Sequence, residues 1–261
     1  MFPLKDNIPT DRFPIVTVAL ILANVLAYFF FQEAISSSWL NQPDQMNVVD
    51  YGAIPYEIAH PGKECEIAGQ QLVCEGMPGV QGQADPQPPT IVTIFTSMFM
   101  HGGLFHIGGN MLFLWIFGNN VEDSMGPVKF LLFYVLGGLA ALAAQTLVDP
   151  NAAVPTIGAS GAVAGVLGGY ALLFPRARVV TVIFIVFFFT ILELPALLIL
   201  GFWFLQQVLF GYFDLATPTG EGGGVAYFAH IGGFAFGLLA IKLFADERKH
   251  RRQLERATSR R

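Results

Sequence analysis

The chain is predicted to be all-α, a polytopic membrane protein built as a bundle of six transmembrane helices. Three observations predict this. Of its 261 residues 54% are hydrophobic and only 13% are charged, whereas soluble domains carry about 25% charged residues. The apolar residues gather into runs close to the ~20 residues that a helix needs to cross hydrocarbon. Basic residues collect at the ends of alternate runs, as the positive-inside rule requires of a chain that weaves through a bilayer.

The first run, 13–31, follows Lys5 and Arg12. Small residues follow it at Ala34-Ile35-Ser36, but its apolar core exceeds the roughly 7–15 residues of a signal peptide, so it is read as a retained helix. Residues 32–92 form a long acidic loop carrying Asp44, Asp50, Glu57, Glu64, Glu66, Glu75 and Asp85. The two cysteines, Cys65 and Cys74, both lie there. Outside the cytosol such a pair reads as a disulfide closing a small loop, ahead of free thiols or half of a zinc shell.

Further runs follow at 93–118, 130–148, 156–174, 194–213 and 225–244. A seventh stretch, 179–192, is short for a span and almost wholly β-branched or aromatic. It is read as an interfacial or re-entrant segment, or as an extension of the fifth helix, with Glu193-Leu194-Pro195 opening that span. Seven spans is the alternative count. Arg176 and Arg178 follow the fourth run, and Arg248, Lys249, Arg251, Arg252, Arg256, Arg260 and Arg261 follow the sixth. By charge, residues 1–12 and the tail 246–261 are expected in the cytoplasm, 13–245 form the membrane domain, and the loop 32–92 lies outside. Much of the net charge of −5 comes from that loop, so it is no argument for a nucleic-acid partner, and none is expected. The basic tail reads as a topology signal and a contact for anionic lipid. Glu122 and Asp123 are read as part of a solvated loop after the second span.

Placed by depth, the unusual polar residues converge. The second, fourth and sixth runs are all expected to enter from the outer face, and His101, His106, Asn110, Ser160 and His230 all fall in their outer parts. An ionisable side chain in hydrocarbon is expensive and is a functional-site hypothesis by default. His106 and Asn110 are four residues apart, on one helical face. Ser160, Ala164 and Gly168 form one small-residue stripe, Gly161, Gly165 and Gly169 a second, and His230, Gly233 and Gly237 a third. Small-xxx-small stripes let helices approach closely in lipid, which a hydrogen bond between Ser160 and His230 requires. The bland reading is packing alone, or a serine bonded back to its own helix. The chemical reading is a serine activated by a histidine base. Asp149 and Asp214 sit at loop edges and Glu193 toward the other face, so a dyad is expected rather than a triad. Asn110, His106 and the Ser160 backbone N–H are the candidate oxyanion donors. No His-Glu-x-x-His is present, so the histidines do not read as a zinc-protease site.

The segments His101-Gly102-Gly103-Leu104-Phe105-His106-Ile107-Gly108-Gly109-Asn110, with the continuation to Gly118 and Glu122-Asp123, Gly158-Ala159-Ser160-Gly161, and Ala229-His230-Ile231-Gly232-Gly233, together resemble the rhomboid intramembrane serine proteases. The resemblance implies Ser160 as nucleophile, His230 as general base, Asn110 and His106 in the oxyanion hole, and His101 nearby. It implies cleavage of transmembrane protein substrates near the outer face, with no metal or cofactor. The short termini, with no soluble domain or transit-like leader, favour a bacterial cytoplasmic membrane over an organelle, in contact with membrane lipid, and the charge pattern places both termini inside. Two features depart from the family. Trp39 is followed by Leu40 rather than arginine, and Ala164 stands where some members carry a tyrosine beneath the histidine ring. What orients His230 is therefore left open. The alternatives are an inactive rhomboid-like binding or quality-control protein, disfavoured by the presence of both Ser160 and His230, and a transporter using the histidines as relays.

Overall fold

The computed structural model describes residues 2–32, 45–69, 71–185, 188–216 and 225–259. Asp44, Ala34-Ile35-Ser36, Trp39, and Arg260 and Arg261 of the tail lie outside the described residues. The chain opens with strand β1 (Phe2–Asp6) and helix α1 (Ile15–Leu26), which continues as a π-helical turn over Ala27–Gln32. The segment that follows holds α2 (Gln45–Tyr51), α3 (Pro55–Ala59) and the hairpin β2 (Cys65–Ala68) and β3 (Gln71–Cys74). Then come α4 (Thr90–Thr96), a 3₁₀ turn (Ser97–Phe99), α5 (Leu104–Phe113), a π turn (Leu114–Gly118) and α6 (Asn119–Met125). Next are α7 (Pro127–Val148), α8 (Ser160–Leu173), β4 (Arg178–Ile185), β5 (Phe188–Pro195), α9 (Ala196–Ala216), α10 (Tyr227–Phe244) and α11 (Glu247–Ser259).

The molecule is mostly helical and membrane-spanning. Among the described residues four helices are long and apolar enough to cross a bilayer: Ile15–Gln32, Pro127–Val148, Ala196–Ala216 and Tyr227–Phe244. A fifth span is counted if Thr90–Phe99 and Leu104–Met125, bent by 80° at their junction, act as one. The run expected to be one continuous helix is thus broken around His101. The fourth expected span, α8, has only 14 residues. At 1.5 Å per residue it is about 21 Å long, too short to reach both faces of a ~30 Å hydrocarbon layer. It needs no such reach, because it is the central helix: all but Ser160 and Leu172 are buried. Large side chains of the surrounding helices, such as Leu131, Leu132, Phe202 and Leu239, point outward and exposed, the side that acyl chains occupy.

The close packing predicted from the small-residue stripes is present. A Cβ added to Gly233 would collide with the Gly161 carbonyl oxygen, and one on Gly237 with that of Gly165. These glycines let α10 lie directly on the backbone of α8.

Two expectations are corrected. The described residues of 179–192 are not a helical extension of α9. They form most of the antiparallel hairpin β4–β5, in register from Arg178↔Pro195 to Ile185↔Phe188. The N-terminal strand completes a sheet of order β1-β4-β5. The run of Val, Ile, Phe and Thr favours the pleated chain, and β1 pairs a backbone edge of β4 that would otherwise be open. α9 therefore begins after Pro195, not at Glu193. Glu122 and Asp123 are not solvated: both are buried. Glu122 Oε1 accepts from the Val16 N–H at 3.0 Å, and its Oε2 from the Thr17 N–H at 2.7 Å and hydroxyl at 2.8 Å. It caps α1, whose first N–H groups have no intrahelical acceptor. Asp123 accepts from the Asp11 N–H and from Gln253 Nε2 on α11, so the basic tail folds back on α6 as a helix.

The segment between α1 and α4 has its own small core of Val49, Ile54, Tyr56, Cys65 and Cys74, and the cysteines form the expected disulfide. Buried Glu57 accepts from the Cys65 N–H at 3.0 Å, and burial pushes its carboxyl up to about 7. Ala53 pairs with Thr156, and the Tyr56 N–H reaches Ala152 O at 3.1 Å. The segment between α1 and α4 thereby holds the loop that leads into Ser160.

Candidate active site

Ser160 is the first residue of α8 and His230 lies in the first turn of α10. With the two helices in backbone contact, Ser160 Oγ and His230 Nε2 stand 2.8 Å apart. This is a good hydrogen bond between elements seventy residues apart in sequence. Both line a cavity of about 820 Å³, which His106 and Asn110 also line. The site residues expected from the sequence are thus gathered in one place, with His101 set behind them.

The helix break is what places the histidines. After the 3₁₀ turn the chain runs extended through Met100 and then enters α5. Fully buried His101 is clamped by Gln32 at the end of the first span: Gln32 Nε2 donates to His101 O at 3.0 Å, and the His101 N–H donates to Gln32 Oε1 at 2.8 Å. His101 Nε2 in turn faces the Ala159 N–H at 3.5 Å. The His106 ring packs edge-on against that of His101, 5.1 Å between centroids. His106 Nδ1 accepts from the Gly102 N–H at 3.2 Å, which leaves its proton on Nε2.

Gly158 creates the space between these groups. Its φ of +121° is a conformation that side chains rarely adopt. A Cβ there would lie 2.8 Å from His106 Nε2 and 3.5 Å from Ser160 Oγ. The glycine therefore keeps open the point that both atoms flank. Asn110 is 8% exposed and its Nδ2 has no partner. A buried amide donor without an acceptor is costly, and here it borders the cavity that holds Ser160. The Ser160 N–H belongs to the first turn of α8, where donors lack intrahelical acceptors and the helix dipole favours negative charge. Asn110, His106 and the start of α8 thus border the same cavity as the Ser160–His230 pair.

A family model describing the rhomboid domain matches residues 88–247. The chain belongs to the rhomboid family. This rhomboid is 32% identical over 154 residues to Rhomboid protein 1, mitochondrial, of Saccharomyces cerevisiae, covering 57% of this chain and 40% of that protein. It is 29% identical over 157 residues to RHOMBOID-like protein 1 of Arabidopsis thaliana, covering 60% and 39%. To Rhomboid protease GluP of Bacillus subtilis it is 38% identical over 75 residues, 29% and 14% of the two chains. The chain spans about two fifths of the length of the first two of these relatives. They include a mitochondrial, a plant and a bacterial protein, so the similarity selects no compartment. Every candidate site residue lies inside the matched segment, whereas the disulfide-bearing segment precedes it.

Sequence reasoning missed the glutamines. Gln207 is buried on α9 with its Oε1 2.7 Å from His230 Nδ1. Gln145 Oε1 accepts from the Ala229 N–H at 3.1 Å, beside the histidine. Gln32 clamps His101. The signal was available: each is an uncharged polar side chain within an apolar helix, where it needs a partner. Their partners are residues 23 to 84 positions away, a pairing that spacing along one helix does not reveal.

Proposed function

We propose that this rhomboid is an intramembrane serine endopeptidase that cleaves transmembrane segments of membrane proteins with a Ser160–His230 dyad. The 2.8 Å contact between Ser160 Oγ and His230 Nε2, inside a cavity among apolar helices, is the observation that carries the reading. In this mechanism Ser160 Oγ attacks the scissile carbonyl carbon while its proton passes to His230 Nε2. The carbonyl oxygen becomes an oxyanion held by Asn110 Nδ2, the proton on His106 Nε2 and the Ser160 N–H. The C–N bond then breaks, and His230 returns the proton to the leaving amine. Water hydrolyses the resulting ester with His230 again as base, restoring the free serine. Substrates are transmembrane proteins that enter from the lipid. The distribution of Lys5, Arg12, Arg176, Arg178 and the basic residues of α11 supports cytoplasmic termini, with the cavity opening toward the outer face.

The test is fluorophosphonate labelling of purified protein in mild detergent, together with cleavage of a generic transmembrane substrate. Ser160→Ala and His230→Ala are each expected to lose both activities while remaining folded. Full cleavage by either variant would refute the dyad. A folded wild-type protein that neither labels nor cleaves would instead point to an inactive rhomboid-like binding protein.

A further inference from the structure

A serine–histidine pair works only if the imidazole presents an unprotonated Nε2 to the serine, so something must hold the proton on Nδ1. Here no carboxylate has been assigned that task, and His230 Nδ1 faces Gln207 Oε1 at 2.7 Å. Gln207 is 7% exposed on α9, a helix otherwise apolar over most of its length. Its amide is oriented: Nε2 points to Trp203 O, one turn back, at 3.4 Å, which turns Oε1 toward the histidine. An amide oxygen only accepts. The proton of the neutral imidazole therefore sits on Nδ1, and the lone pair on Nε2 faces Ser160 Oγ. Trp203, on the same face of α9, adds a second restraint, its ring 5.7 Å from the imidazole.

We propose that Gln207 is the positioning residue of the dyad, fixing the tautomer and orientation of His230. The proposal rests on the Ser160–His230 reading above. The bond from Nδ1–H to Oε1 is present when His230 is neutral and grows stronger when it becomes imidazolium, since a charged donor makes the stronger bond. A neutral amide does this without placing a carboxylate among apolar helices, where a buried charge is expensive.

Two substitutions of similar size separate this role from packing. Gln207→Met keeps the length of the side chain and removes the acceptor. Gln207→Glu keeps an acceptor oxygen in either protonation state. Fluorophosphonate labelling rate reports the reactivity of Ser160 without a transmembrane substrate, and substrate cleavage separates kcat from KM. Gln207→Met is expected to slow labelling and kcat by about 10–100-fold, the consequence of leaving a buried donor unpaired at the site, with KM within about twofold. Gln207→Glu is expected to retain labelling within a few-fold. Gln207→Leu serves as a second acceptor-free variant should the methionine variant not fold. Normal labelling and kcat in a folded acceptor-free variant would overturn the proposal, as would loss in Gln207→Glu with activity kept in Gln207→Met, the pattern of a packing role. Failure of the underlying reading is distinguishable: it appears as full activity in His230→Ala, or as a wild-type protein that never labels.

Discussion

Gly158→Ala tests the geometry around Ser160 most directly. Two costs are readable from the structure. The first is backbone strain, since φ at this position is +121°, and a side chain held in such a region costs on the order of 1–3 kcal/mol. The second is steric. The new methyl would stand 2.8 Å from His106 Nε2 and 2.9 Å from Cε1. Ordinary contact begins at 3.4 Å, so the ring must withdraw by about 0.6 Å, the difference of the two distances, to admit the methyl. It is not free to do so, because Nδ1 is held by the Gly102 N–H and the ring edge rests against His101. Overpacking of this kind costs about 1–3 kcal/mol, and misplacing a group at the reaction centre by about 1 Å can cost ~10²-fold in rate. Gly158→Ala is therefore expected to lower kcat about 10²-fold, with a fall in the thermal unfolding midpoint measured in detergent. Adding His106→Ala removes the steric part alone. The double variant should regain part of the midpoint but not the turnover, because a proposed oxyanion donor has gone with the ring. A Gly158→Ala protein that cleaves within twofold of wild type at an unchanged midpoint would refute this account of the site.

Three further outcomes are expected. Asn110→Ala removes a buried amide donor bordering Ser160 and should reduce kcat by roughly 10²–10³-fold if that donor binds the oxyanion; unchanged turnover excludes it from the site. Glu122→Ala strands the Val16 N–H and the Thr17 N–H and hydroxyl and should cost about 2–4 kcal/mol, read as a lowered unfolding midpoint, with Glu122→Gln milder; a midpoint unmoved by alanine would dismiss the capping role. Asp6 on β1 is buried, accepts from Tyr170 at 2.6 Å and Asn120 at 2.7 Å, and burial pushes its carboxyl from 3.8 up to about 7. The folded state then binds a proton that the unfolded chain has released, so Asp6 contributes stability below about pH 4 that is lost as pH rises through 7. Asp6→Asn should flatten that part of the midpoint-versus-pH curve between pH 4 and 8, and an unaltered slope would show that other groups set it.

The sequence by itself determined a membrane protein of apolar helices, the convergence of Ser160, His230, His106 and Asn110, and the disulfide between Cys65 and Cys74. These follow from period, composition and depth, which are properties of the chain read along its length. Small-residue stripes even announced which helices would touch, because backbone contact in lipid demands glycine at the crossing. Only the tertiary structure decided the rest. The β4–β5 hairpin needed β1, at the other end of a pairing that runs from Phe2↔Val182 to Asp6↔Val179, to close its edge. The break at His101 needed Gln32 to satisfy both backbone groups of that residue. Glu122 read as solvated because nothing local shows that it ends beneath the first turn of α1. Gln207 was invisible as the partner of His230 because an amide in an apolar helix announces a need for a hydrogen bond but not the address of the group that meets it. Polar side chains in this protein are matched across helices, and that matching exists only once the helices are packed.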